Sequence, residues 1–196
     1  MKKRRMKKLN NRGYSLVELI IVIAIIVVFS AAALVTMTVM HNAKAKEAAI
    51  TFDSELSELI HNAKNRACDV NDNGTIEAVE KEYTFGLRLY QVDGKCYLQN
   101  VLVFAGAYES DVDFEKANNP NNGLGKSLST YVYVKYTDKA GNEYTIGDTG
   151  SDEVLIYYNK DGSCASGVGT YEFIKTNNDT MVAIMTINKN GSHQTN

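Results

Sequence analysis

The hydrophobic pattern begins with a long apolar run near the start of the chain. Residues 19–40 contain no charged side chain, and as a helix with a rise of ~1.5 Å per residue this run is roughly 33 Å long. The hydrocarbon core of a bilayer is about 30 Å thick. The sequence therefore predicts a segment that spans a membrane once.

The helical pattern continues after this run and becomes amphipathic. Apolar residues recur every three or four positions, as on the buried face of a helix; they are Ala49, Phe52, Leu56, Leu59, Ile60, Ala63 and Ala67. Charged residues fall on the other faces; they are Lys44, Lys46, Glu47, Asp53, Glu55, Glu58 and Lys64. We therefore predict one helix from about Ser15 to Cys68 whose second half rests on a sheet. Pro120 is the only proline, so no proline interrupts this helix.

The remainder alternates polar and apolar residues with the period of β-strands. Residues 84–92 and 95–104 flank Asp93-Gly94, a dipeptide typical of a two-residue hairpin turn. Further strands are predicted at 131–137, 143–146, 154–158, 169–176 and 181–188. No βαβ pattern occurs, so the predicted fold class is α+β, with the long helix packed on an antiparallel meander. Residues 105–130 are rich in acidic residues, Asn and Gly, which is typical of an exposed loop.

Charge is distributed unevenly along the chain. Residues 1–13 carry seven basic residues and no acidic one, whereas the part from Tyr14 onward has 14 basic against 23 acidic residues. Lys and Arg beside an apolar span stay on the cytoplasmic side, so the acidic part is expected outside. Its C-terminal tail offers only Lys189 and His193 as cations, too few for phosphate-driven binding. Nucleic acid is therefore not an expected partner.

The junction between the basic tip and the apolar run has an unusual composition. Gly13 is followed by Tyr14, and Glu18 lies at the start of the apolar run, where a carboxylate at full membrane depth is unfavourable by about 3 kcal/mol. A secretory signal peptide would have a shorter apolar core and a polar mature start. A plain signal anchor would leave Gly13-Tyr14 and Glu18 without a role. Glu18 is therefore expected to have a partner.

Residues 12–26, Arg-Gly-Tyr-Ser-Leu-Val-Glu-Leu-Ile-Ile-Val-Ile-Ala-Ile-Ile, resemble the cleavage and methylation motif of type IV pilins and type II secretion pseudopilins. The resemblance implies that a membrane prepilin peptidase cuts between Gly13 and Tyr14 on the cytoplasmic side, and that Tyr14 is then N-methylated. It also implies the pilin fold, residence in the cytoplasmic membrane and assembly into an extracellular filament. The long helix lacks the proline of many major pilins, which favours a minor pilin or pseudopilin. The C-terminal part loosely resembles the pseudopilin H and FimT-type minor-pilin domain.

The charges at this junction agree with the resemblance. Cleavage creates an ammonium at Tyr14 in apolar surroundings, and a neighbouring subunit shifted along the filament can offer it the carboxylate of Glu18. Pairing two charges that are each unfavourable alone would set the axial register. Contacts of this heterologous kind do not close into a ring, so the expected assembly of pilin subunits is an open helical fibre.

Residues 69–80, Asp-Val-Asn-Asp-Asn-Gly-Thr-Ile-Glu-Ala-Val-Glu, have the spacing of an EF-hand calcium loop. Oxygen ligands at alternate positions converge as such a loop wraps, and the final Glu gives two oxygens to a cation with six to eight ligands. The predicted Ca²⁺ ligands are Asp69, Asn71, Asn73, the Thr75 carbonyl, Glu77 and Glu80. The alternative is a solvated turn that ends the long helix, because residues 81–85 resemble a strand rather than the second helix of an EF-hand. We expect a structural ion that fixes helix to sheet.

Three cysteines fall in the external part, where an oxidising compartment permits a disulfide. Cys96 in a strand and Cys164 in a turn form one candidate bridge, and the sequence leaves the two pairings with Cys68 open. The spacings do not resemble a zinc site. The scattered histidines are expected as solvated or helix-surface side chains; they are His41, His61 and His193.

These features predict a leader at 1–13, a transmembrane and assembly helix at 14–40, an amphipathic helix at 41–68 and a β-rich part at 69–196. The expected function is that of a structural subunit of a type IV pilus-like filament. No Ser/His/Asp set, phosphate-binding glycine loop or paired-carboxylate cleft emerges, so an enzyme such as an anchored extracellular hydrolase is not expected. The alternative is a membrane-anchored binding protein, for instance a receptor for DNA or for a surface at a pilus tip.

Overall fold

The computed structural model describes residues 15–68, 75, 77–78 and 83–195. The chain divides into two compact units, with the boundary between Met40 and His41. Helix α1, Leu16–Asn65, begins in the first unit and ends in the second. In the first unit every side chain described for residues 15–33 and 36–40 is exposed. Among the described residues, α1 is the one helix that is long and apolar enough to cross a membrane.

The described part of the second unit contains the rest of α1, a short helix and fourteen strands. In chain order the further elements are β1 (Ala67–Cys68), β2 (Glu77–Ala78), β3 (Tyr83–Val92), β4 (Lys95–Phe104), β5 (Ala107–Glu109), α2 (Val112–Asn118), β6 (Lys126–Ser127), β7 (Val132–Asp138), β8 (Glu143–Gly147), β9 (Gly150–Ser151), β10 (Val154–Tyr158), β11 (Cys164–Ser166), β12 (Gly169–Lys175), β13 (Met181–Ile187) and β14 (His193–Thr195). One long apolar helix followed by antiparallel sheets confirms the α+β class.

The long helix ends before the predicted Cys68. The Arg66 amide donates to the Asn62 carbonyl over 2.6 Å, and Arg66 itself has a left-handed backbone with φ 47°. That conformation terminates helices. The two residues after it form β1, so Cys68 belongs to a strand and not to the helix end.

The strands form two six-stranded antiparallel sheets and one two-stranded ribbon. The first large sheet has the order β11-β10-β3-β4-β5, with β6 also paired to β4. The second has the order β14-β13-β12-β7-β8-β9. The predicted meander is therefore wrong in its connections, since β10 pairs not only with its sequence neighbour β11 but also with β3, and β12 pairs with β7. The predicted hairpin is confirmed: β3 and β4 pair in register around Asp93 and Gly94, which both have positive φ, 50° and 75°.

The core lies where the second half of α1 packs against both large sheets. Phe52 is fully buried, and its ring centroid lies 5.1 Å from that of Tyr171 and 5.6 Å from that of Phe173 on β12. The predicted apolar stripe is confirmed by buried side chains up to Ala63 and extends one turn further back than predicted; the buried residues are Ala45, Ala48, Ala49, Phe52, Leu56, Leu59 and Ala63. Its last predicted member, Ala67, lies in β1 beyond the end of the helix. Ile60 is partly buried against this core.

Residues 105–130 are not the exposed loop that their composition suggested. They contain β5, α2 and β6, and Phe114 of α2 is buried. Asp111 caps α2 by accepting hydrogen bonds from the amides of residues 113 and 114. Asn119 accepts from the Asn100 amide over 2.6 Å and donates to the Asn100 carbonyl over 2.8 Å. The Asn119 side-chain amide thus forms the pair of hydrogen bonds that a neighbouring strand would form, and it holds this segment on β4. Composition does not reveal this contact.

Glu55 also differs from the prediction, which placed it on a polar face of the helix. Its side chain is only 2% exposed. It forms an ion pair with Lys126 of β6, and the hydrogen bond from Lys126 raises the pKa of that lysine. The segment before β7 thus covers a charged position of α1 and supplies the opposite charge.

Candidate assembly segment and calcium loop

The first turn of α1 places Ser15 before the helix and Glu18 three residues later, with one of the two hydrogen bonds of a capping box. The Ser15 hydroxyl accepts from the Val17 amide over 3.4 Å, and a Glu18 carboxylate oxygen accepts from the Ser15 amide over 3.4 Å. The Leu19 amide donates to the Ser15 carbonyl over 3.1 Å, which closes the first turn. In this arrangement a Ser and a Glu three residues apart satisfy amide groups that the helix itself leaves free.

The contacts of Glu18 within its own chain are weak. The 3.4 Å distance between the Ser15 amide and the Glu18 carboxylate exceeds the usual range of about 2.7–3.2 Å for N–H···O bonds. The Glu18 side chain is also exposed. A carboxylate at a helix N-terminus is favoured by the helix dipole, so Glu18 is stabilised there without a committed partner. It is free to accept a charged donor from elsewhere. Gly13 and Tyr14, the predicted processing residues, lie outside the described residues.

The rest of the apolar segment satisfies its own polar groups. The Ser30 hydroxyl donates to the Ile26 carbonyl over 2.7 Å, and the Thr36 hydroxyl donates to the Ala32 carbonyl over 3.0 Å. A hydroxyl in an apolar medium needs such a partner, since an unpaired polar group there costs ~2–7 kcal/mol. The segment is therefore suited to lipid and to a helix bundle alike.

The strand β1 directly precedes the predicted calcium loop, residues 69–80, and the strand β2 lies within it. β1 and β2 are antiparallel with Cys68 opposite Glu77 and Ala67 opposite Ala78, so residues 69–76 connect two adjacent strands. Thr75 is exposed, and the backbone of Glu77 belongs to β2. The other predicted ligands, Asp69, Asn71, Asn73 and Glu80, lie outside the described residues. The next strand, β3, begins at Tyr83.

The candidate bridge between Cys96 and Cys164 is wrong, because both are buried free thiols. Cys96 lies beside Gln91 near the start of β4, whereas Cys164 lies beside Tyr158 at the far end of β10. The two sites are several residues apart along the sheet, beyond the ~7 Å Cα separation that a disulfide allows. Cys96 donates to the Ile146 carbonyl over 3.0 Å and Cys164 to the Ser166 carbonyl over 2.9 Å. Burial raises the pKa of Cys96 to about 12 and that of Cys164 to about 11.

One of the three histidines has a structural role that the sequence did not indicate. His193 of β14 is half-buried, and its Nε2 lies 3.3 Å from the Asp53 carboxylate of α1. The Thr195 hydroxyl donates to the same carboxylate over 3.2 Å. These contacts hold the C-terminal strand on the helix. His41 packs on Tyr131 with ring centroids 4.4 Å apart, and His61 is exposed.

A cleft of about 260 Å³ brings together two carboxylates, Asp138 and Glu153, beside Tyr136 and Tyr144. Both carboxylates already have partners. Asp138 accepts from the Ala140 and Asn142 amides and the Asn142 side chain, and these hydrogen bonds lower its pKa. Glu153 accepts from Arg88 over 3.0 Å. The pair is thus engaged in turn formation and ion pairing.

The comparisons with known proteins bear on the N-terminal segment. Residues 8–34 match the family model of the prokaryotic N-terminal methylation motif. This motif is the signature of type IV pilin and pseudopilin precursors, so the chain carries a prepilin segment at its N-terminus. No curated protein and no solved structure matched the chain. The β-rich part is therefore characterised by its own geometry.

Proposed function

We propose that this protein is a structural subunit, a minor pilin or pseudopilin, of a type IV pilus-like extracellular filament. Prepilin peptidase removes residues 1–13, and Tyr14 becomes the N-methylated mature terminus. The chain waits in the cytoplasmic membrane with its N-terminus inside, and then joins the filament through the first part of α1. Its role is architectural and not enzymatic.

The observation that carries this proposal is the coincidence of the methylation motif with an unpartnered apolar helix. The motif covers residues 8–34, and the described side chains of that stretch from Ser15 to Ala33 are all exposed. An apolar helix whose described side chains are exposed requires lipid or other subunits to cover it. Prepilin segments use both in turn.

Glu18 is proposed to set the register between subunits. In the single chain Glu18 accepts one long hydrogen bond from the Ser15 amide. The Tyr14 ammonium of a neighbouring subunit is a stronger partner for Glu18 than this amide. Charge-assisted hydrogen bonds are about twice as strong as neutral ones. The exchange gives each added subunit a fixed axial position.

We also propose that residues 69–80 hold a structural Ca²⁺. The pairing of β1 with β2 brings residues 68 and 77 together, which keeps the two sides of the loop close to each other. The ligands are the six proposed from the EF-hand spacing, Asp69, Asn71, Asn73, Thr75, Glu77 and Glu80. The ion would stiffen the connection between α1 and β3.

The assembly proposal is tested on filaments sheared from the producing cells. Mass spectrometry should find Tyr14, carrying one N-methyl group, as the first residue. Glu18→Ala should be cleaved normally yet enter filaments poorly, because an unpaired ammonium in an apolar bundle costs ~3–5 kcal/mol. Glu58→Ala, which changes an exposed carboxylate further along α1, is the matched control and should assemble as wild type. A mature chain that starts at Met1 or beyond residue 30 would refute the proposal.

A further inference from the structure

Two hairpins of the second unit end in nearly identical turns. Residues 159–163, Asn-Lys-Asp-Gly-Ser, join β10 to β11, and residues 188–192, Asn-Lys-Asn-Gly-Ser, join β13 to β14. In each turn the first Asn amide donates to the Ser carbonyl, the Gly amide returns to the Asn carbonyl, and the third side chain accepts from the Ser amide. The same local chemistry thus presents a lysine at the second position of both turns.

The twin turns are packed directly against each other. A Cβ atom added to Gly191 would lie 1.9 Å from the Gly162 carbonyl oxygen, so only glycine permits this approach. The Cys164 amide also donates to the Lys189 carbonyl over 3.0 Å. Lys160 and Lys189, 29 residues apart in sequence, therefore lie in two turns that contact each other.

Two further lysines lie at the same end of the second unit. The Lys64 ammonium is 3.1 Å from the position that a Cβ of Gly162 would take. Lys139 follows Asp138 in the β7–β8 turn, and Gly169 of β12 pairs with both Asp138 and Ile187, the residues that begin the β7–β8 and β13–β14 turns. We name these four residues the lysine end; they are Lys64, Lys139, Lys160 and Lys189. All four are exposed, and within the described part of the chain none forms an ion pair.

The opposite end of the sheets carries acidic turns. β12 runs from Gly169, beside the lysine end, to Lys175, six residues or about 20 Å away. Asp179 lies in the turn after Lys175, and the Asp148 amide donates to the Gly94 carbonyl, which places Asp148 beside Asp93. Asp93, Asp148 and Asp179, the aspartate end, are exposed and all have φ near +50°. Asp138 and Asp161 also lie at the lysine end, and Lys95 and the buried Lys175 lie at the aspartate end. Among these residues, positive charge is therefore in excess at one end and negative charge at the other.

We propose that the lysine end of one copy docks on the aspartate end of a second copy. The inference rests on the proposed filament function. Outside the leader the chain has 14 basic and 23 acidic residues, so packed copies repel one another wherever unlike charges are not aligned. An open assembly joins one surface to a different surface of the next copy. Two oppositely charged ends of one unit meet that requirement.

Residues 69–80 are acidic and follow Lys64 in sequence, and the proposed Ca²⁺ would make their net charge less negative. The experiments are therefore run in both calcium and chelator. A lysine end that acts by charge should contribute more in calcium, when the loop is less negative.

The test compares filament yield from cells that produce full-length variants. Lys160→Glu with Lys189→Glu should lower the yield on the order of tenfold, because two attractive surface contacts become repulsive. Asp148→Asn with Asp179→Asn should lower it less, and asparagine tolerates their positive φ. The four changes together should yield more filament than the lysine pair alone, since the repulsion is removed. Lys116→Glu, an exposed lysine on α2, is the matched control.

The outcomes separate this contact from the filament role. The contact is overturned, and the filament proposal left intact, if the variant with both lysine changes assembles as wild type. The same holds if the variant with all four changes gives no more filament than the variant with both lysine changes. If the lysine pair variant assembles normally but no longer binds a polyphosphate probe, the contact between copies is overturned and the partner of the lysine end is an anionic polymer. Absence of the wild-type chain from all filaments overturns both proposals. Circular dichroism of each variant in detergent should match wild type, which excludes misfolding as the cause.

Discussion

The ion pair between Glu55 and Lys126 makes a prediction in which the two partners are not equivalent. The Glu55 side chain is 2% exposed, whereas 47% of the Lys126 side chain is exposed. Removing the lysine leaves a buried carboxylate without a counter-charge. Removing the carboxylate leaves a lysine that reaches water. We therefore expect Lys126→Met to be much more damaging than Glu55→Gln.

The magnitudes follow from this asymmetry. Leaving one charge of a buried pair unpaired costs ~3–5 kcal/mol, whereas replacing both partners by apolar residues is often near neutral. Glu55→Gln keeps a hydrogen-bonding side chain and should cost about 1 kcal/mol. With ~2–4 °C per kcal/mol for a chain of this size, Lys126→Met should lower Tm by roughly 10 °C. Glu55→Met combined with Lys126→Met should recover most of that loss.

The assay is thermal unfolding of the full-length chain in detergent, followed by near-ultraviolet circular dichroism of the tyrosines. Lys135→Met is the control, because its partner Glu143 is an exposed side chain, and it should change Tm little. The pair has a pH signature as well. Glu55 raises the pKa of Lys126 above 10.5, so its stabilisation is complete below pH 10.5 and is lost as the pH rises through the higher folded pKa. Equal losses from Glu55→Gln and Lys126→Met would refute the reasoning.

Three further predictions concern processing, calcium and the thiols. Gly13→Leu should remain at precursor mass in immunoblots, because a bulky residue at the scissile bond blocks close approach of the peptidase to the backbone; a shortened Gly13→Leu in filaments would contradict this. Millimolar calcium should raise Tm relative to chelator, because free calcium at 100 times the dissociation constant adds about 2.7 kcal/mol to the free energy of unfolding. Glu80→Gln should lose this gain, whereas Glu82→Gln should keep it. Identical melting in calcium and in chelator would exclude the ion. Cys96 and Cys164 should resist a thiol reagent at pH 8 until denaturant is added, because burial holds their pKa at about 12 and about 11; rapid labelling of the native chain, located by peptide mapping, would contradict their burial.

Local patterns predicted the elements better than their partners. The ends of β3 and β4 lie within one residue of prediction, because Asp93-Gly94 fixes the turn and alternation fixes the strands. The buried stripe of α1 followed from its spacing alone. The pairing of β10 with β3 depends on residues about 65 positions apart, for which no local signal exists.

The remaining errors share one physical origin, which is the replacement of water by a distant part of the chain. Glu55 looks solvated by its helical position, yet β6 covers it. Residues 105–130 look like a loop by composition, yet Asn119 binds β4. Cys96 and Cys164 allowed a bridge by compartment, yet strand register keeps them apart. The start of α1 was predictable because its chemistry is confined to a few adjacent residues.

The intrahelical hydrogen bonds of Ser30 and Thr36 affect how the helix transfers between lipid and a bundle of helices. A helix that gave these hydroxyls to a neighbour would have to break those bonds whenever it left that neighbour. Here both hydroxyls donate to carbonyls of the same helix, so transfer from lipid into a bundle, or back again, leaves these two hydrogen bonds in place. For this helix the two media then differ in side-chain packing and in the surroundings of the Glu18 carboxylate.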